Sequence, residues 1–102
     1  MNKQIKIGEI GIDAGLVWIG DPCYILHKTE NEQPKSIGKN WSDFCDILKK
    51  GKQLETGFLQ FCYDKGHAGL GVCASTGWGD GCYDVMAEIK DNRIKSISIK
   101  FF

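Results

Sequence analysis

Apolar and polar positions change rhythm several times along this chain, and each rhythm predicts an element. Ile5 and Ile7 alternate with polar neighbours, as a half-buried strand does. Ile10 and Ile12 fall on the opposite parity, so a bulge at Gly8 is needed to keep one buried face. Asp13-Ala14-Gly15 reads as a turn. Leu16-Val17-Trp18-Ile19 is continuously apolar, which predicts a central strand covered on both faces. Gly20-Asp21-Pro22 interrupts it, and Cys23-Tyr24-Ile25-Leu26 is expected to resume it. His27 to Asn40 is polar and aperiodic, long for a connection in a compact domain, and therefore a loop that could close over a site.

Trp41, Phe44, Cys45 and Leu48 stand at i, i+3, i+4 and i+7, the stripe of an amphipathic helix. Asn40 or Ser42 can cap its start, Lys49 and Lys50 suit its negative end, and Gly51 can end it in a left-handed conformation. Phe58–Tyr63 and Leu70–Ser75 read as strands around an Asp64-Lys65-Gly66 turn. Thr76–Gly81 is a glycine-rich loop. Tyr83, Val85, Ala87 and Ile89 alternate, as do Ile97, Ile99 and Phe101. For these two strands to share an apolar face, their paired positions must sum to an even number. A two-residue Asp91-Asn92 turn sets Val85 against Ser98 and fails. A three-residue Lys90-Asp91-Asn92 loop sets Val85 against Ile97 and Tyr83 against Ile99, with Asn92 left-handed. The pattern predicts a β-rich α+β fold, a small antiparallel barrel or sandwich with one packed helix. The length of 102 residues predicts a single domain, 1–102.

Composition narrows the partners. Thirteen basic and thirteen acidic residues balance, which argues against long nucleic acid or an anionic membrane, both of which need a positive surplus. No apolar run reaches the ~20 residues needed to span a bilayer. The segment MNKQIKIGEI lacks the apolar core of a secretory signal, so the expected location is the cytoplasm. The five cysteines, Cys23, Cys45, Cys62, Cys73 and Cys82, are odd in number and have no C-x-x-C spacing. They are expected as free thiols, with no metal and no cofactor. Cys62, His67 and Cys73 flank one turn but lack the spacing of a zinc site.

The most informative chemistry is a repeat. Gly20-Asp21-Pro22-Cys23-Tyr24 returns as Gly79-Asp80-Gly81-Cys82-Tyr83, each just after a tryptophan, Trp18 or Trp78. The repeat reads as one local shape built twice, a turn with an outward aspartate feeding a strand, and two such turns could close over one site. Asp21 and Asp80 could then accept hydrogen bonds from a ligand's hydroxyl or amino groups. The plainer alternative is that each carboxylate bonds its own backbone two residues on and only shapes the turn. In Ser75-Thr76-Gly77-Trp78-Gly79-Asp80-Gly81, glycine N–H groups and two hydroxyls could meet an anion, and an exposed Trp78 could stack on a base. Alternatively Trp78 folds back as a lid on the core.

The I-G-D-P-C-Y segment, the W-x-x-F helix and the late S-T-G-W-G-D-G-C-Y-D-V run together resemble small uncharacterised proteins of bacteria and their phages. Those proteins carry a GDPCY turn and an S-T-G-aromatic-G-D-G-x-Y segment. The resemblance covers about Asp13 to Phe102 and implies a β-rich domain, with no established activity attached. Asp84 stands where that pattern has proline. Some small phage proteins sequester a nucleotide signal of host defence, which is an analogy of context.

The expected function is non-catalytic binding of a small polar ligand, a nucleotide or a nucleotide-derived signal, as in a phage anti-defence sponge. Asp21, Tyr24, Ser75, Thr76, Gly77, Trp78, Gly79, Asp80 and Tyr83 are the expected ligand-binding residues, and none is assigned a catalytic role. A homo-oligomer is compatible with this reading. The rivals are a small metal-assisted hydrolase using Asp21, Asp80 and Asp84, and a protein-binding inhibitor acting through the Trp78 loop or an edge strand.

Overall fold

The computed structural model describes residues 3–26 and 34–102. Among the described residues six strands and two helices follow one another as β1 (Lys3–Ile12), β2 (Leu16–Ile19), α1 (Trp41–Lys50), α2 (Gln53–Thr56), β3 (Phe58–Cys62), β4 (Ala68–Ser75), β5 (Gly81–Lys90) and β6 (Arg93–Ile99). They form two antiparallel three-stranded sheets, ordered β1-β5-β6 and β2-β4-β3. The fold is therefore β-rich α+β with one main helix, and neither sheet closes into a barrel. The chain makes two compact units. One combines the described residues up to Gly15 with Thr76–Phe102, and the other lies within Leu16–Ser75.

In the first unit, β1 pairs with β5 and shifts register between Lys6 and Gly8. The predicted bulge is thus present, with Ile7 as the extra residue, and Ile5 and Ile10 reach the same face as Ala87 and Tyr83. Ile12, Thr76 and Ala87 are buried. The opposite face is polar, with Lys6 bonded to Glu9 at 2.6 Å and to Asp84 at 3.2 Å.

The β5–β6 hairpin corrects the predicted loop. Lys90 pairs with Arg93 across a two-residue Asp91-Asn92 turn, and both turn residues have positive φ, 53° and 62°. A bulge at Lys95 then restores parity, setting Ala87 against Ile97 and Val85 against Ile99. One extra residue was needed to keep the apolar face together. It sits in β6 and not in the loop, which displaces the pairing by two positions.

The second unit is built around α1. Of the two candidate caps, Asn40 is the one used: its side chain accepts from Asp43 N at 2.9 Å, and the helix starts at Trp41. Leu48 is buried in a cluster with Phe61, Leu70 and Cys73, and Leu16, Trp18, Phe44, Ile47 and Leu59 pack around it. The Phe44 ring stacks on Phe61 at 5.2 Å, and Trp41 lies over Phe44 at 5.7 Å while remaining exposed. Gly51 closes the helix with φ −82°, and the left-handed residue is Lys52 instead. Gly51 packs closely on Leu59: a Cβ there would lie 2.6 Å from Leu59 Cδ1, so the leucine side chain would have to shift.

Three further expectations change. β2 is an edge strand and not a central one; Leu16 and Trp18 pack against the core cluster, Val17 is half-buried and Ile19 is 60% exposed. The segment after it does not resume the strand. Pro22–Tyr24 forms a single 3-10 turn. The aperiodic stretch splits as well. Residues 27–33 fall outside the described residues, and Lys35–Ile37 forms a second 3-10 turn. That turn is anchored by Lys35 N donating to Asp64 Oδ1 at 2.8 Å and by Ser36 Oγ donating to the Cys62 carbonyl.

Candidate functional site

The two copies of G-D-x-C-Y do not share a conformation, and their middle residues explain why. Pro22 has its φ restrained by its ring and no N–H to satisfy, which suits the first position of a 3-10 turn. Asp21 precedes it in extended backbone, and its Oδ1 accepts from Cys23 N at 3.0 Å. This is the local turn-shaping bond, two residues on. That N–H, and then the Cys23 thiol, hold the Asp21 carboxyl below the usual aspartate range. The carboxylate in turn pushes the Cys23 thiol up. Tyr24 meets Tyr63 edge-on at 5.3 Å, and its hydroxyl is the main cause that raises the Tyr63 phenol. Asp21 and Tyr24 both belong to the second unit.

In the second copy Gly81 replaces proline and adopts φ +153°, a region that L side chains rarely enter. The chain passes directly into β5, where Gly81 pairs with Ile12. Among the described residues the Asp80 carboxylate has no partner, and it is exposed. Asp80 is therefore free where Asp21 is used.

The Thr76–Gly81 loop is held by its own polar groups. Thr76 N donates to the Gly15 carbonyl at 2.9 Å, which ties the loop's start to the end of β1. The buried Thr76 hydroxyl donates to the Gly79 carbonyl at 3.1 Å, and Tyr83 donates to the same oxygen at 2.8 Å. The Tyr83 ring rests edge-on against Phe101 at 5.5 Å. Thr76 and Tyr83 thus act as struts for Gly79. Ser75, the last residue of β4, accepts from the buried Gln53 amide at 2.7 Å within the second unit.

Held in this way, the loop presents Trp78 outward. The indole is 62% exposed and touches the protein through Phe102, whose ring centroid is 5.0 Å away at an interplanar angle of 39°. Gly77 and Gly79 take φ of +77° and +82°. A Cβ on either would meet nothing within 4 Å, so both backbones are open to solvent. Among the described residues their N–H groups find no acceptor in the protein. Beside the loop, Cys82, Tyr83, Asp84, Met86, Lys100, Phe101 and Phe102 line an open depression of about 500 Å³.

Of the predicted site residues, Thr76, Gly77, Trp78, Gly79, Asp80 and Tyr83 fall on one loop and its strand. Asp21, Tyr24 and Ser75 fall in the other unit. Phe102 is the partner of Trp78 that sequence reasoning missed. Its only signal was a terminal aromatic, which carries no pattern. All five cysteines are free thiols, with Cys73 buried and Cys23 and Cys82 exposed. Among the described residues no three His, Cys, Asp or Glu side chains converge as cation ligands. No described helix is long and apolar enough to cross a membrane. Compared with known protein families, curated proteins and solved structures, the chain matches none of them.

Proposed function

We propose that the protein binds a small polar ligand carrying a flat ring, a nucleotide or nucleotide-derived signal, and holds it without converting it. The observation that carries this reading is the exposed Trp78 indole on a loop braced by Thr76 and Tyr83. A large aromatic left in water by a braced loop is a stacking surface that loses little entropy on binding. The chemistry on either side of it is complementary to the rest of such a ligand. The free Asp80 carboxylate accepts from exocyclic amino or ribose hydroxyl groups. The open N–H groups of Gly77 and Gly79 receive a phosphate, and the like charge of Asp80 directs that phosphate to the Gly77 side. Sequestration of a host-defence nucleotide is the biological role this reading suggests.

The test is calorimetric titration with mono-, di- and cyclic dinucleotides, with chromatography of the ligand afterwards. The parent is expected to bind at least one of them and return it unchanged. Trp78→Ala should weaken that binding by ~1–3 kcal/mol, the worth of one stacked base. Asp80→Asn should weaken it by ~1.5–3 kcal/mol, as for a hydrogen bond to a charged group. A parent that binds none of the panel, or a Trp78→Ala variant that binds like the parent, overturns the reading. Appearance of product replaces it with an enzymatic one.

A further inference from the structure

We propose that the tip of the β5–β6 hairpin is a separate site that binds a multiply charged phosphoanion. Lys90 and Arg93 are direct cross-strand partners at the mouth of the hairpin. Like charges placed directly opposite destabilise a β-ladder. Neither has an acidic partner among the described residues, although Asp91 lies between them in sequence. Lys95, the extra residue of the bulge in β6, lines the same depression, and its ammonium lies 3.3 Å from Glu88. Lys90, Asp91, Arg93 and Lys95 together line an open depression of about 550 Å³.

The chemistry of the two side chains favours a phosphate over a simple counterion. The guanidinium fork of Arg93 matches two phosphate oxygens at once, and the Lys90 ammonium can meet a third as a point charge. A bridging dianion would turn the Lys90–Arg93 repulsion into two attractions. The turn supplies rigidity, since Asp91 and Asn92 both occupy the left-handed region of a tight two-residue loop. This site does not rest on the Trp78 reading. Gly81 and Lys90 are the two ends of β5, which puts about 30 Å between them at ~3.3 Å per residue, beyond the reach of one mononucleotide.

Inorganic tripolyphosphate, which has no base to stack, is the probe, with citrate as a control of comparable charge. At low salt, tripolyphosphate is expected to raise the parent's melting temperature, and high salt should erase the rise. Lys90→Gln and Arg93→Gln should each at least halve the shift, and Lys49→Gln, the same loss of charge on exposed helix α1, should leave it intact. Without any anion, Lys90→Glu should melt above the parent, because it replaces a like-charged cross-strand pair with an opposite one. Both positions are exposed, and far-UV circular dichroism confirms that the variants are folded. A parent that shows no shift, a shift that survives in the Lys90→Gln/Arg93→Gln double variant, or an equal shift with citrate each overturns the proposal.

Discussion

Gly71 lies flat against the indole of Trp18, so closely that a Cβ at position 71 would overlap the six-membered ring. The contact explains a glycine in the middle of β4, the central strand of its sheet, where glycine otherwise weakens pairing. It lets the indole lie over the strand and meet Phe61 edge-on at 5.1 Å. Gly71→Ala is expected to cost ~1–3 kcal/mol, the usual penalty for overpacking a filled core. Urea unfolding followed by tryptophan emission measures it. A variant as stable as the parent would mean that Trp18 has another rotamer available.

The helix gives the complementary experiment. Leu48 is 6% exposed and belongs to the buried cluster with Phe61, Leu70 and Cys73. Leu48→Ala leaves a cavity and should destabilise the protein by ~2–5 kcal/mol. That is a large share of the ~5–15 kcal/mol that holds a domain together. Trp41 lies on the same stripe but is exposed, so Trp41→Ala should cost much less, mainly the stack on Phe44. Equal losses at the two positions would mean that the stripe faces the core along its whole length.

These two sites also mark what could be read in advance. The helix was legible because its period, its Asn40 cap and its basic end agree. The bulge in β1 was legible because parity has to be repaired somewhere between Ile5 and Ile10. The hairpin obeyed the same rule, yet its register was missed. An extra residue in the loop and an extra residue at Lys95 repair parity equally well; they differ in the register of the pairing and in the left-handed conformation of Asp91, neither of which the alternation shows. The G-D-x-C-Y repeat misled because identical letters hid one decisive difference, Pro22 against Gly81. Helix α2 is four residues long, too short to show a period. The Tyr24–Tyr63 and Trp78–Phe102 pairs join residues far apart in sequence, and no local pattern signals them.

Asp21 and Cys23 form a linked pair whose behaviour with pH follows from their contacts. The folded pKa of Asp21 is depressed, first by the Cys23 N–H and then by the thiol. Stability from this group is therefore present above the unfolded aspartate value and is lost as pH falls through the folded one. NMR titration of the side-chain carboxyl should place its midpoint below the ordinary aspartate range. The carboxylate also disfavours the Cys23 thiolate. Asp21→Asn keeps an acceptor for the turn but removes the charge, so it should speed alkylation of Cys23 at mildly alkaline pH. Cys73, buried and pushed up by burial, should stay unreactive in both proteins. Mass-spectrometric alkylation rates decide the matter; an unchanged rate at Cys23 would show that its thiol does not feel the carboxylate.

The Asp91-Asn92 turn carries the last prediction. Both residues sit at positive φ, which side chains with a Cβ resist and which asparagine and aspartate tolerate better than most. The two-residue loop feeds directly into the Lys90–Arg93 pair, and the bulge at Lys95 depends on that pairing being in place. Asn92→Ala retains the Cβ but loses the local polar compensation, and it should cost about 1 kcal/mol, near the penalty for a left-handed L-residue. Asn92→Gly removes the Cβ and creates the Asp-Gly sequence that such turns prefer, so it should melt at or above the parent. If the hairpin instead used a three-residue loop with a regular β6, Asp91 would not need a positive φ. Asp91→Gly would then lower stability through added freedom in the unfolded chain. In the two-residue turn, Asp91→Gly relieves the strain and should be neutral or stabilising. Thermal melts of the three single variants, with amide-exchange protection at Ile94 and Ser96 as a register marker, separate these geometries.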